Sequence, residues 1–126
     1  MDRLLLVGVG GSAGAILRYL ISGWVQAYAT VFPLGTLTVN FLGTLILGLV
    51  MFSSEYAGMF DERTRLFMTI GVLGAFTTMS TFGYESFKLL EQKETAAFVV
   101  NVLGTMLLML LAIYISKMMV LRIGGD

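Results

Sequence analysis

Leu34 to Ser54, Leu66 to Tyr84 and Thr95 to Ser116 run without a single Asp, Glu, Lys or Arg. The hydrocarbon layer of a bilayer is about 30 Å thick, and about 20 apolar residues rising 1.5 Å each cross it as a helix. Each stretch reaches that length. A further apolar run from Leu4 to about Ala29 is interrupted only by Arg18. The sequence therefore predicts an all-α integral membrane fold. It has four transmembrane helices at about 4–29, 34–54, 66–84 and 95–116, in a single domain over 1–126. Arg3, the Leu/Val run and "GGSAGA" imitate a signal peptide. The spans that follow argue for a retained first helix instead.

Composition narrows the function classes. The 126 residues are 57% hydrophobic with a mean hydropathy of +0.88, which is too apolar for an ordinary soluble domain and too short for several domains. Cys and His are both absent. That removes thiolate nucleophiles, disulfides, zinc sites and Ser-His-Asp arrangements. No enzyme and no organic cofactor are expected. Lys and Arg balance Asp and Glu at 8 each, so nothing points to nucleic acid, and membrane lipid is the expected surroundings.

An even number of spans puts both termini on one side. Orientation normally follows Lys and Arg on cytoplasmic segments. Here Arg3, Arg63, Arg65, Lys117 and Arg122 would share one side, with Arg18, Lys88 and Lys93 toward the other. So slight a bias fits insertion both ways round, which allows an antiparallel dimer, and equally fits one orientation with a faint signal. On the first span Gly8 with Ser12 and Gly10 with Gly14 are small residues four apart, the spacing at which membrane helices approach closely.

Lipid offers no hydrogen bonds, so polar side chains within spans turn to protein, water or a permeating species. Thr36, Asn40 and Thr44 recur every fourth residue along one face of the second span, and Asn101 and Thr105 do so on the last. Packing bonds between helices, worth about 0.6 to 2 kcal/mol each, account for an isolated Thr. Asn40 is harder to satisfy, because an amide carries two donor hydrogens and two acceptor sites. In "GVLGAFTTMSTFGYE", Gly71 to Glu85, the hydroxyls of Thr77, Thr78, Ser80 and Thr81 sit among Gly71, Gly74 and Gly83. That mixture lowers helix preference in mid-span. One reading is a broken helix whose freed carbonyls suit a hard cation, or whose hydroxyls and amides suit an anion. The other is a continuous helix bent by back-bonding hydroxyls. Arg18, about 22 Å along a helix from Arg3, and Glu85 are the rare charges in these segments. They form either an ion pair or two separate groups reaching for water at a vestibule.

"GTLTVNFLG" at Gly35 to Gly43 and "GVLGAFTTMSTFGYE", together with "LRYL" at Leu17 to Leu20, resemble signature segments of the Fluc (CrcB) fluoride channel family. The likeness covers the whole chain in length and span count. It implies a passive, fluoride-selective channel that exports fluoride from the cytoplasm across the cell (inner or plasma) membrane and confers fluoride resistance. The assembly it implies is a dual-topology, antiparallel homodimer with two pores. A structural sodium would sit at the dimer interface, on the backbone carbonyls of Gly74 and Thr77 in the break of the third helix. Asn40 would line the pore, with Thr78 and Ser80 beside the pathway.

The family's pair of anion-facing phenylalanines falls on Met79 and Phe82, and its fourth-helix polar track falls on Asn101, Thr105 and Met109. Met79 departs from the pattern. Ring edges are weakly positive, and a polarizable thioether presents a comparable surface through its methyl hydrogens. Two alternatives stand beside the channel: a small four-helix dual-topology multidrug exporter, and a non-transporting membrane scaffold. The first needs an acid at mid-membrane, and the first span has none. The second leaves the hydroxyl cluster unexplained.

Overall fold

The computed structural model describes residues 2–124, all helix and connecting loop with no strand among them. Helix α1 (Arg3–Gln26) and helix α2 (Leu34–Ala57) come first. The third span, Glu62–Glu91, is built of unlike pieces. A short α3 (Glu62–Leu66) runs into a π-helical stretch (Phe67–Leu73) and a final turn α4 (Gly74–Phe76); after a break, α5 (Met79–Glu91) follows. Helix α6 (Thr95–Ile123) completes the four elements long and apolar enough to cross a membrane.

The helices outrun the uncharged stretches. The third starts within "DERTR", where the Asp61 carboxylate accepts the Thr64 N–H at 3.1 Å and caps the helix, and it continues through "KLLE" to Glu91. At 29 residues, α6 is about 43 Å long, well beyond the hydrocarbon thickness. Charged end turns therefore stand in the headgroup region, and the backbone has no reason to unwind where charge begins. Helix α1 is shorter than expected, ending at Gln26. There the Gln26 side chain grips the turn into α2, its Nε2 donating to the Phe32 carbonyl at 3.1 Å and its Oε1 accepting from the Gly35 N–H at 3.0 Å. The Gly35 N–H, which lipid would leave unpaired, is satisfied by this side chain, and the Phe32 carbonyl gains a second donor beside the Leu34 N–H at 2.8 Å.

Arg3 pairs with Glu62 at 2.8 Å, and Lys117 lies 5.9 Å from the centre of the Tyr56 ring. The starts of α1 and α3 and the ends of α2 and α6 thus share one end of the bundle. Helix α2 is the most enclosed: 33% of its apolar window is buried, against 11% for α1. Its main partner is α6, while α1 packs chiefly on the π-helical stretch. Ser116, fully buried, shares its hydroxyl hydrogen between the Ala112 carbonyl at 2.7 Å and the Leu45 carbonyl at 2.8 Å, and so ties α6 to α2.

Of the two small-residue pairs on α1, the one buried is Gly10 and Gly14. A methyl group at Gly14 would run into the Val72 backbone, and one at Gly10 would stand 2.9 Å from the Phe67 carbonyl oxygen. Gly8 has nothing within 4 Å of such a methyl, and Ser12 only bonds back to the Gly8 carbonyl. The wider turn of the π-helix brings its backbone, rather than side-chain tips, against α1.

Overpacking against rigid backbone typically costs 1–3 kcal/mol. Gly14→Ala is therefore expected to destabilise the protein by about 3 kcal/mol or to abolish a monodisperse preparation, whereas Gly8→Ala is silent. Thermal unfolding followed by the fluorescence of the single tryptophan, Trp24, distinguishes the two.

Candidate functional site

The centre of the molecule is the break in the third span. Thr77 (φ −84°, ψ 156°) and Thr78 (φ −149°, ψ 120°) are extended between α4 and α5. In a continuous helix the Thr78 N–H would donate to the Gly74 carbonyl. Here it donates to Asn40 Oδ1 at 2.8 Å, and Asn40 Nδ2 donates to the Thr78 carbonyl at 3.1 Å. One amide side chain on α2 thus replaces two backbone partners. The Thr78 hydroxyl accepts from the Thr81 N–H at 3.3 Å, capping α5, and donates to Thr81 Oγ1 at 3.1 Å. The clustered hydroxyls do break the helix, and the bent but continuous alternative is set aside.

The expected polar face of α2 reaches across to a different neighbour at every turn. Thr36 donates to Glu85 Oε1 at 2.7 Å, Asn40 holds Thr78, and Thr44 donates to Met109 Sδ at 3.0 Å. Gly43, between the last two, gives α2 room to meet the Thr77 methyl and the Phe76 ring.

Two cavities flank the break, and Thr78 lines both. The first, about 420 Å³, is lined by Arg18, Gln26, Thr36, Thr81 and Glu85. Arg18 and Glu85 share this space, yet no Arg18–Glu85 ion pair within 4.0 Å occurs among the described residues. Glu85 gives one oxygen to Thr36 and keeps Oε2 buried without a hydrogen-bond partner. Glu85 also lies well inside α5, since the helix runs on to Glu91. The second cavity, about 410 Å³, is lined by Asn40, Thr44, Met79, Phe82, Thr105 and Met109.

Eight of the residues singled out in the sequence, Asn40, Thr44, Thr77, Thr78, Met79, Phe82, Thr105 and Met109, therefore meet at one cavity. Ser80 does not line it: Ser80 is exposed, its hydroxyl 3.4 Å from that of Thr78. Asn101 does not line it either, being 2% exposed behind Thr105 with Nδ2 donating to Ser86 Oγ at 2.9 Å. Ser86 escaped the sequence reading, because a lone Ser near charged residues carries no pattern. Gly74 is exposed and Thr77 half-buried at the end of α4. The walls combine aliphatic and thioether surface with a few hydrogen-bond donors.

These features define a small multi-pass membrane protein, four helices per chain, with polar groups concentrated on a mid-span break. Residues 5–117 match the family described as "CrcB-like protein, Camphor Resistance (CrcB)", and the chain belongs to that family. It is 50% identical over 125 residues, 99% of this chain and 95% of the relative, to "Fluoride-specific ion channel FluC 3" of Methanosarcina barkeri. It is 52% identical over the same shares to "Fluoride-specific ion channel FluC 1" of Methanosarcina acetivorans. A more distant relative, "Fluoride-specific ion channel FluC" of Geobacter sulfurreducens, is 42% identical over 119 residues, 94% of this chain and 96% of the relative. The family is one of ion channels, not of enzymes.

Leaving a buried backbone group unpaired costs about 1–3 kcal/mol. Asn40→Ala strands both Thr78 groups and is expected to destabilise the protein by at least about 2 kcal/mol in thermal or chemical unfolding. Thr44→Val releases only a thioether contact and should cost below about 1 kcal/mol.

Proposed function

We propose that the chain is a passive fluoride channel that exports fluoride from the cytoplasm across the cell membrane, as an antiparallel, dual-topology homodimer with two pathways. The observation that carries this reading is the second cavity. Asn40 Nδ2 uses one hydrogen on the Thr78 carbonyl, which leaves its other for an occupant of the cavity, with the Phe82 ring and the Met79 thioether beside it. A donor held in apolar surroundings, with no carboxylate among the lining residues, suits an anion. Fluoride is small and strongly hydrated, so its lost water must be replaced by such donors and by positively polarised edges. Larger anions receive less from the same contacts and fit the narrow wall worse.

Thr78 stands where the two cavities meet, and the polar face of α2 serves both, Thr36 in the first and Asn40 and Thr44 in the second. An anion attracted by Arg18 would pass along this face. Met79 is 79% exposed and Leu110 68% exposed at the open side of the second cavity. A second copy laid there would complete the wall, which supports the dimer.

The donor set of the break fits a hard cation. The Gly74 carbonyl loses its helical donor to Asn40, and the extended Thr77 carries its carbonyl off the helix axis. Gly74 and Thr77 would hold the sodium, and when bound it would supply positive charge next to the anion path at low dielectric.

Fluoride efflux from proteoliposomes, followed with a fluoride electrode and repeated with chloride, tests the reading. Fluoride release above protein-free vesicles without chloride release is expected; no fluoride release defeats it. Met79→Phe should still conduct fluoride and exclude chloride. A dead or chloride-leaky variant would show that the thioether does something a ring edge does not. Phe82→Ala should slow fluoride roughly tenfold, the worth of a ring-edge contact of about 1.4 kcal/mol.

A further inference from the structure

Behind the second cavity lies a hydrogen-bonded chain that links α6 to α5. Thr105 Oγ1 donates to Asn101 Oδ1 at 3.4 Å, Asn101 Nδ2 donates to Ser86 Oγ at 2.9 Å, and Ser86 Oγ donates to the Phe82 carbonyl at 2.7 Å. Thr105 lines the cavity, whereas Asn101 and Ser86 do not. In this arrangement the only hydrogen of the Thr105 hydroxyl points away from the cavity, into Asn101. The hydroxyl therefore turns lone pairs toward any occupant, which repels an anion.

We infer that Asn101 is a positioning residue that sets the donor polarity of Thr105, and that an anion in the cavity reverses the chain. An amide occupies nearly the same volume with its oxygen and nitrogen exchanged. After that exchange Asn101 Nδ2 donates to Thr105 Oγ1, and the Thr105 hydrogen is free to point at the anion. Ser86 turns its hydrogen from the Phe82 carbonyl to Asn101 Oδ1. Each side-chain group that was paired remains paired, no helix moves, and the Phe82 carbonyl keeps its α-helical donor from the Ser86 N–H. A buried apolar residue at 101 leaves Thr105 only the backbone carbonyl four residues earlier as an acceptor and gives it no side-chain donor in the occupied state. A hydroxyl there would offer both. The amide matters because its donor and acceptor ends are fixed relative to each other, so Thr105 and Ser86 switch together.

This inference rests on the fluoride channel reading, so wild-type efflux is measured first; its absence defeats that reading and the inference with it. Given wild-type conduction, Thr105→Val and Asn101→Leu are each expected to slow fluoride efflux about tenfold. The double variant should be no slower than the slower single one, because Asn101 acts through the Thr105 hydroxyl. If Asn101 merely ties α6 to α5, the double variant is slowed about a hundredfold, and that result overturns the inference. Should Asn101→Leu fail to fold, the native chain still decides. Asparagine-selective nitrogen-15 labelling gives side-chain amide signals from Asn40 and Asn101 alone. Fluoride should shift the Asn101 pair in the wild type and not in Thr105→Val. An Asn101 amide indifferent to fluoride, or equally responsive without the Thr105 hydroxyl, overturns it.

Discussion

The grip of Asn40 on both backbone groups of Thr78 is the contact on which the rest of the molecule depends. Breaking a helix inside a bilayer leaves N–H and C=O groups with no water to take them, at several kcal/mol each. Here a single amide, 8% exposed, matches one donor to the carbonyl and one acceptor to the N–H. With the break stabilised, α4 ends and α5 begins afresh under its own Thr78 cap. The two cavities exist because the chain steps sideways between those helices. Gly43 makes the step possible from the other side, since any larger residue would push α2 off Thr77 and Phe76.

Much of this was legible in the sequence, and the reason is the bilayer. Lipid enforces helices and penalises every polar atom, so spans and misplaced polar residues announce themselves in the letters alone. Gly71, Gly74 and the Thr/Ser cluster marked the place, but helix preference left a break and a bent helix both open there, and only the family resemblance favoured the break. The periodicity of Thr36, Asn40 and Thr44 gave the correct face of α2. Helix ends were less legible, since Asp61 and "KLLE" are as good in a helix as in a loop. The π-helical turn left no mark, because its wider hydrogen-bonding pattern is set by contact with α1 rather than by any residue type. The same contact decided between the Gly8 and Gly10 registers, which spacing alone could not do.

Charge placement required the structure. Arg18 and Glu85 are rare charges that share a cavity, and the sequence left an ion pair and two separate groups equally open. Glu85 takes its bond from Thr36 on α2. Arg18 is thereby not neutralised by a direct contact with Glu85, and the cavity retains a cation beside a carboxylate whose second oxygen has no partner. On the proposed pathway, an anion drawn toward Arg18 would meet hydroxyls from Thr36 and Thr81 before it met the break. On that pathway the pull of the guanidinium would be moderated rather than cancelled, so an ion would not be held too tightly to leave.

The hydroxyls themselves divide into two kinds that no sequence pattern separates. Ser12, Ser22, Thr38, Ser54, Thr69 and Thr77 donate to the carbonyl four residues earlier in their own helix, while Ser86 and Ser116 do so and also bond a neighbouring helix. Such a bond satisfies the hydroxyl locally and leaves it little to offer a ligand or a neighbouring helix. Thr36, Thr44, Thr78 and Thr105 instead reach a side chain, and each of them lines a cavity, as the back-bonded Ser22 and Thr77 also do. Both kinds are threonines or serines on apolar helices, so composition and spacing treat them alike. What distinguishes them is whether a better acceptor than the preceding turn lies within reach, and that is decided by which helix stands opposite. The polar pathway is in this sense made by the packing of α2 against α5 and α6, with the residues of the break supplying the place where the helices face one another.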